Sequence, residues 1–550
     1  VIGSFGTADG ETAELLIEGS FAAAPTPSPF TISAEDNGSI PLASELIIQS
    51  GESFEANGTI GDGPHGSAGS GSADFDFIEL PNLLAGDLIS VEVLTANPTG
   101  DLDPNTALWD SSGNLLAFNE DIGAGNFDSR LVYSVENDGD LFLSIGGWKT
   151  GGQNAVLPGD PFDSASGTGA ASEGAFSVTI GRNASDVDCY ALDLEPGDML
   201  GADGQGNVSV VELFLANGSL QMGSRGSGAG LYPGASPLPG GSVTIDFVTF
   251  ESDRHAICLQ GDEGAYTLEL GAFRQIFEGT RRKQILFVDF DGAEIDTSIF
   301  GGPGLRTLSP LVDFLPNWGL TAADEDAVID AILASMEETI TQDLAGQSNS
   351  FFSVEIRNSR DDDDTFGVDP NVSRLIVGGT IDESGISTIG IAQSIDPGNF
   401  EAAESALTLL DLLSAPAGNP NSLNQFAIQP GLDIIDLVGI GVGNITAHEA
   451  GHFLGNWHTE NSGAGTGPSI MDRGGNLAGS VGVGSDGVFG SADDIDVDFG
   501  IDVFSFAEGF TGNENTNEKT AFALTCGTGP DIEGLIFEDR FEVPACLQKP

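Results

Sequence analysis

The stretch Thr446-Ala-His-Glu-Ala-Gly-His-Phe-Leu-Gly-Asn-Trp-His-Thr459 holds three of the five histidines in a chain of 550 residues. His448 and His452 are four apart, so on a helix they project from one face, one turn above the other. Both imidazoles then reach a single ion, with Glu449 between them directed at the same cleft. Gly455 follows where a left-handed residue can end the helix and turn the chain back. That turn carries His458 round as a third ligand. Three neutral imidazoles with an open fourth position suit a catalytic zinc ion, whereas a structural site is closed by four protein ligands. Five-letter HExxH runs recur by chance, and their ordinary meaning is a solvated helix with two stray histidines. The scarcity of histidine here, and the spacing of Gly455 and His458, weigh against that.

The pattern HExxHxxGxxH resembles the metzincin metallopeptidases, whose second signature is a methionine turn beneath the zinc. Ser469-Ile-Met-Asp472 supplies it, with Met471 thirteen residues after His458. Thr459 directly after the third histidine resembles the pappalysin-type branch, although Glu460 stands where that branch often has an aromatic residue. Some metzincins place a tyrosine two residues after the methionine, as a further zinc ligand. Here Arg473 occupies that position, and Tyr133, Tyr190, Tyr232 and Tyr266 all precede residue 270, so a tyrosine ligand from this region is excluded. The resemblance implies a zinc endopeptidase acting on extracellular proteins or peptides. His448, His452 and His458 are the ligands, Met471 is the floor, and Glu449 is the general base for a zinc-activated water. The competing class is a secreted binding or adhesion protein with an inactive zinc domain, against which the intact Glu449 and Met471 speak.

The elements that must position this motif begin with Ile285 to Phe290, which reads as a buried strand. Thr321 with Asp324 makes a capping box, and Val328, Ile332, Met336, Ile340 and Leu344 then recur every four residues, as in a helix packed on a sheet. Phe351 to Ile356 and Leu375 to Val377 read as strands, and Phe400 to Leu413 as a second helix. The motif helix is expected to begin after Ile434 and to end near Gly455. Strand, helix, strands, helix is the order the metzincin resemblance implies. Gly390-Ile-Ala392 reads as an edge strand able to pair with an extended substrate backbone. Phe287-Val-Asp289-Phe-Asp291-Gly292 resembles the strand-end DxD of haloacid-dehalogenase-type phosphatases. The lysine those enzymes need is missing between Lys283 and Lys519, so a strand ending in a turn is the better reading.

The rest of the chain sets the context. Its length suggests three or four domains. A net charge of −67 repels nucleic acid and anionic membranes and suits calcium binding. Apolar content of 40% with 78 glycines argues for folded, turn-rich β structure. Four cysteines fit two disulfides in an oxidising compartment, with Cys189–Cys258 and Cys526–Cys546 as local pairs. No apolar run is long enough for a membrane span. The chain opens at Val1 without a basic leader, so a signal peptide is expected to have been removed, and secretion is the expected localisation. No feature sets an oligomeric state.

Residues 1–48 contain Pro25, Pro27 and Pro29 and a short strand at Leu46 to Gln49; a propeptide remnant and leading strands both fit. From about 50 to 272, short alternating strands between Gly, Asn and Asp turns mark β-sandwiches. Asp74-Phe-Asp76 and Gly86-Asp87 return as Asp186-Val-Asp188 and Gly197-Asp198, and Leu108-Trp109-Asp110 is followed in the second copy by Leu213-Phe214-Leu215. This repeat resembles two pre-peptidase C-terminal-type sandwiches, 49–181 and 182–273, modules associated with substrate or surface binding that usually follow the peptidase. The expected architecture is therefore multidomain: two all-β sandwich domains, then an α+β metzincin-like domain over 280–525, then a tail, 526–550. The tail's Leu535 to Glu542 resembles a terminal motif of secreted bacterial proteins. Arg274, Arg281, Arg282 and Lys283 form a basic cluster that is either a linker or a processing site freeing the last domain. Calcium, which takes six to eight oxygens, is expected as a second cofactor at Asp493, Asp494, Asp496 and Asp498, with Asp502 nearby. Asp101, Asp103, Glu120 and Asp121 are further candidates, whereas Asp361 to Asp364 read as a solvated loop. His65 and His255 read as ordinary loop and strand residues.

Overall fold

The computed structural model describes residues 3–4 and 13–525, apart from 22–24, 34, 68, 70–72, 96–101, 120–126, 136, 149–156, 168–171, 185–186, 195–197, 216–219, 250–252, 275–282, 347–351 and 461–467. Cys526, Cys546, Arg281, Arg282, Asp101, Glu120, Asp121 and Asp186 lie outside the described residues. The described chain is mostly β, in several sheets with few helices.

Residues 28–182 form two five-stranded sheets. One runs Ser129–Ser134, Leu88–Thr95, Gly174–Arg182, Glu52–Ile60, Ser28–Pro29; the other runs Ser44–Glu45, Asp76–Leu83, Gly139–Gly147, Pro104–Asp110, Leu115–Asn119. Alternate residues such as Ile78, Leu80, Val91, Val93, Leu143 and Val178 meet in one core. Leu46 and Ile48 are buried in that core, but the strand predicted at 46–49 lies slightly earlier, at Ser44–Glu45.

The second β unit is built on two long strands, Asp198–Leu215 and Asp253–Arg274, that pair with each other along their length. The register shifts between Gly206 and Val208 and between Val208 and Val210. Cys189 and Cys258 face each other across paired strands and are disulfide-bonded. This unit is not closed by residues 182–273 alone. Ala13–Phe21 pairs with Gly264–Ala272, so the N-terminal segment skips the adjacent sandwich and completes the second unit. Phe510–Asn515 pairs with Leu220–Ser224 and extends to Ile501–Val503. Chain on either side of the 275–282 segment is therefore joined in one sheet.

Residues 284–524 hold a five-stranded sheet in the order Val354–Asn358, Gln284–Asp289, Val372–Val377, Ser405–Thr408, Gly390–Ala392. All neighbours are parallel except the last pair, which is antiparallel. The strand Gln284–Asp289 ends in a turn through Gly292, at φ +78°, in keeping with the dismissal of the phosphatase motif. The helix predicted over Phe400–Leu413 is absent. Ser405–Thr408 is a strand, and Ala406, Leu407, Leu409 and Leu410 are buried. A short run that is apolar on both faces carries no period to separate strand from helix, and a parallel sheet covered on both faces selects the strand.

Two helices pack on this sheet. Glu325–Glu337 follows the Thr321–Asp324 capping box and continues through tighter and wider turns to Gly346, burying Val328, Ile332, Met336, Ile340 and Leu344. Ile434–Phe453 starts at a second box, in which Asp433 accepts from the Ile435 and Asp436 amides and Asp436 accepts from the Asp433 amide. Glycine inside a helix costs about 0.5–1 kcal/mol relative to alanine, yet this one carries Gly439 and Gly443. A Cβ at Gly439 would lie 2.5 Å from the Ala331 Cβ, and one at Gly443 would lie 2.6 Å from Ser335. The two helices cross that closely.

Candidate metal centre

His448 and His452 project from the last turns of Ile434–Phe453. The helix stops at Leu454; Gly455, at φ +100°, turns back against Pro397, whose Cα would be 2.5 Å from a Cβ there. The reversal brings His458 round, and the three imidazoles meet. His452 Nε2 lies 3.1 Å from His448 Nε2 and 3.2 Å from His458 Nε2.

Each ring is oriented from behind. Nδ1 of His448 lies 2.6 Å from the Ile470 carbonyl and Nδ1 of His452 lies 2.9 Å from the Asn456 carbonyl. Nδ1 of His458 lies 2.5 Å from Glu508 Oε1. Acceptors at all three Nδ1 atoms assign the protons there, so the Nε2 lone pairs converge. A tetrahedral zinc with Zn–N bonds of about 2.0–2.1 Å separates its nitrogen ligands by roughly 3.3 Å, and this donor set fits it. Burial pushes His448 down to about 3, with the charge of His458 adding to it. Burial, then His458 and His448, holds His452 well below the usual range. Both rings are thus in the neutral form that binds metal.

Met471 is fully buried under the helix. Its Sδ would be only 2.4 Å from a Cβ at Gly451, so the glycine makes room for it. The turn also bonds to the histidine segments. Its Ile470 carbonyl orients His448, and its Met471 carbonyl accepts from the Thr459 amide beside His458. Glu449 is 5% exposed, and burial raises its carboxyl well above the usual range. A cation in the same cleft works the other way.

The cleft has a volume of about 700 Å³ and is lined by the three histidines, Glu449 and residues 387–395. Within it, Ile389 O and Gln393 N bond to Leu409 N and Ser405 O of the neighbouring strand. By alternation, Gly390 and Ala392 turn their backbone groups to the open edge. A Cβ on Gly390 would lie 2.0 Å from Glu449 Oε1. Only glycine lets the edge strand come this close to the carboxylate.

Glu508 was not among the residues singled out from the sequence. It lies in the Phe506–Glu508 turn, fifty residues beyond its histidine, and no local pattern marks it. Leu231, from the second β unit, also lines the cleft, and its carbonyl accepts from the Ile395 amide. The acidic run is divided. Asp493 and Asp494 gather with Asp486, while Asp498 gathers with Glu338 and Asp343; Asp496 joins neither set. His65 is a buried loop residue beside Ser164, and His255 is buried in a strand.

No protein-family model matches the sequence, and no curated protein matches it. Among solved structures, the pre-peptidase C-terminal domain of collagenase from Bacillus anthracis is 13% identical, covering 25% of this chain and 93% of its own, at a TM-score of 0.15. The periplasmic g-type lysozyme inhibitor PliG of Aeromonas hydrophila is 11% identical, covering 26% and 96%, also at 0.15. Likenesses of this extent decide neither fold nor function. The functional reading rests on the site itself.

Proposed function

We propose that the chain is a secreted, metzincin-type zinc endopeptidase cleaving extracellular proteins or peptides. The observation that carries the proposal is the convergence of three Nε2 atoms, each ring braced at Nδ1, beside the Glu449 carboxyl in a cleft edged by an open strand. His448, His452 and His458 would hold the ion. Bound there, zinc would acidify a water molecule and polarise a substrate carbonyl. Glu449 accepts the proton of the attacking water and returns it to the leaving amine. Gly390 and Ala392 hold the extended substrate by main-chain hydrogen bonds, which align any sequence and leave side-chain preference to the cleft walls. The disulfide Cys189–Cys258 and the acidic surface suit an extracellular setting. Calcium is the second cofactor in this proposal, with the clusters Asp486/Asp493/Asp494 and Glu338/Asp343/Asp498 as its candidate sites.

The direct test is metal removal. Treatment with 1,10-phenanthroline should abolish hydrolysis of casein or gelatin, and added zinc should restore it; undiminished hydrolysis in the chelator would refute the proposal. Two substitutions probe the supports of the site. Gly390→Ala crowds the Glu449 carboxylate, and a misplacement of about 1 Å costs on the order of 100-fold in rate. The expected result is that loss in kcat with an unchanged melting temperature. Glu508→Gln removes the charge that holds His458 Nδ1, and zinc affinity measured by chelator competition should fall about 10- to 100-fold.

A further inference from the structure

His448 and His452 are carried by one helix, but His458 lies beyond it, and its backbone is held from elsewhere. Trp457, immediately before it, is not packed in the core of the 284–524 region. Its indole is 1% exposed and belongs to the core of the second β unit, with Leu213, Met222, Ile245, Phe504 and Phe510. A Cβ on Gly228 of that unit would lie 2.5 Å from the indole ring.

The polar contacts of Trp457 are equally specific. Its Nε1 donates to Asp246 Oδ2 at 2.9 Å, and its backbone N–H donates to Glu514 Oε1 at 3.2 Å. Asp246, on the strand Val243–Val248, also accepts from Tyr232 OH at 2.9 Å and from Lys519 Nζ at 2.6 Å. Lys519 Nζ lies 2.8 Å from Glu514 Oε1. Asp246, Glu514 and Lys519 are each no more than 2% exposed. Charged hydrogen bonds out of water are the strong and directional kind, and losing one leaves its partner buried and unmatched. One buried charge cluster thus clamps both the ring and the main chain of the residue before the ligand. On the other side of the ligand, the His458 carbonyl accepts from the Ser505 amide at 2.9 Å, in the segment leading to the strand Phe510–Asn515 that pairs with the β unit.

We infer that Asp246 is a positioning residue for the metal centre: through the Trp457 indole it sets His458, so the third ligand is placed by the β unit while the helix places the other two. The inference rests on the proposed zinc site. It makes the second β unit a structural half of the site and not an appended binding module.

The test uses the full chain. Trp457→Phe removes the N–H together with part of the indole, leaving the Asp246–Lys519 pair intact; Asp246→Asn keeps the whole indole and weakens the same contact from the other side, along with the Lys519 pair. Zinc affinity is measured by chelator competition on the metal-free protein, together with the visible spectrum of the cobalt(II)-substituted form and the melting temperature. The expected result is about a 10-fold weaker zinc affinity in each single variant, with an altered cobalt spectrum. The double variant should lose no more than the worse single one, because both changes cut one link. Trp457→Phe binding zinc like the wild type, with the wild-type cobalt spectrum, would overturn the inference. Additive losses that track the fall in melting temperature, with the spectrum unchanged, would overturn it as well, leaving Asp246 a stability residue. Wild-type protein that takes up no stoichiometric zinc would instead defeat the metal reading on which the inference stands.

Discussion

Glu449→Gln should keep stoichiometric zinc and lose hydrolysis of casein by about 100- to 10,000-fold, the usual contribution of a positioned general base. Holding the ion and moving the proton fall to different residues. The proposed ligand atoms are the Nε2 atoms of His448, His452 and His458, each braced by a group other than Glu449. Glutamine has nearly the same shape, so the contact with Gly390 is kept, but it cannot accept a proton from water. Zinc content by atomic absorption and rate on casein therefore part company in this variant. Retained activity would remove Glu449 from the proposed role, and joint loss of zinc and activity would make it a structural residue.

Residues 280–525 expressed alone should fail to form a stable zinc-binding domain. In the whole chain, Ile395, Trp457, Phe504 and Phe510 are packed in the core of the second β unit. Uncovering each large apolar side chain costs about 1.5–3 kcal/mol, so the four together forfeit roughly 6–12 kcal/mol, against a typical domain stability of about 5–15 kcal/mol. Lys519 also loses Asp246, and the strand Phe510–Asn515 loses its partner Leu220–Ser224. The expected fragment melts without cooperativity, is cut quickly by trypsin or thermolysin, and retains no zinc after dialysis. A fragment that melts cooperatively near the temperature of the full chain, with one bound zinc, would contradict a shared core between the β unit and the metal centre.

Much of the site was legible without coordinates because it is local. Four-residue spacing on a helix, a glycine at its end and a capping box at the start of the other helix are decided within a few turns of chain. Caps and periods act over that range. Gly390–Ala392 is an edge strand as read, but its edge position is set by its one partner, Ser405–Thr408. Where local signals are silent the reading failed. The stretch Phe400–Leu413 has apolar residues on every face, and its strand exists because two neighbours pair with it.

The sequence by itself determined which side chains could carry the chemistry: three histidines, one glutamate and a methionine, at spacings that a single helix and one turn can satisfy. The tertiary structure alone decided what makes those side chains a site. Glu508 reaches His458, Asp246 reaches Trp457, and Ala13–Phe21 and Phe510–Asn515 close the same β unit from opposite ends of the chain. These contacts join residues 50 to more than 250 positions apart. They arise from which buried surfaces and unpaired strand edges find each other, and no periodicity along the chain encodes that.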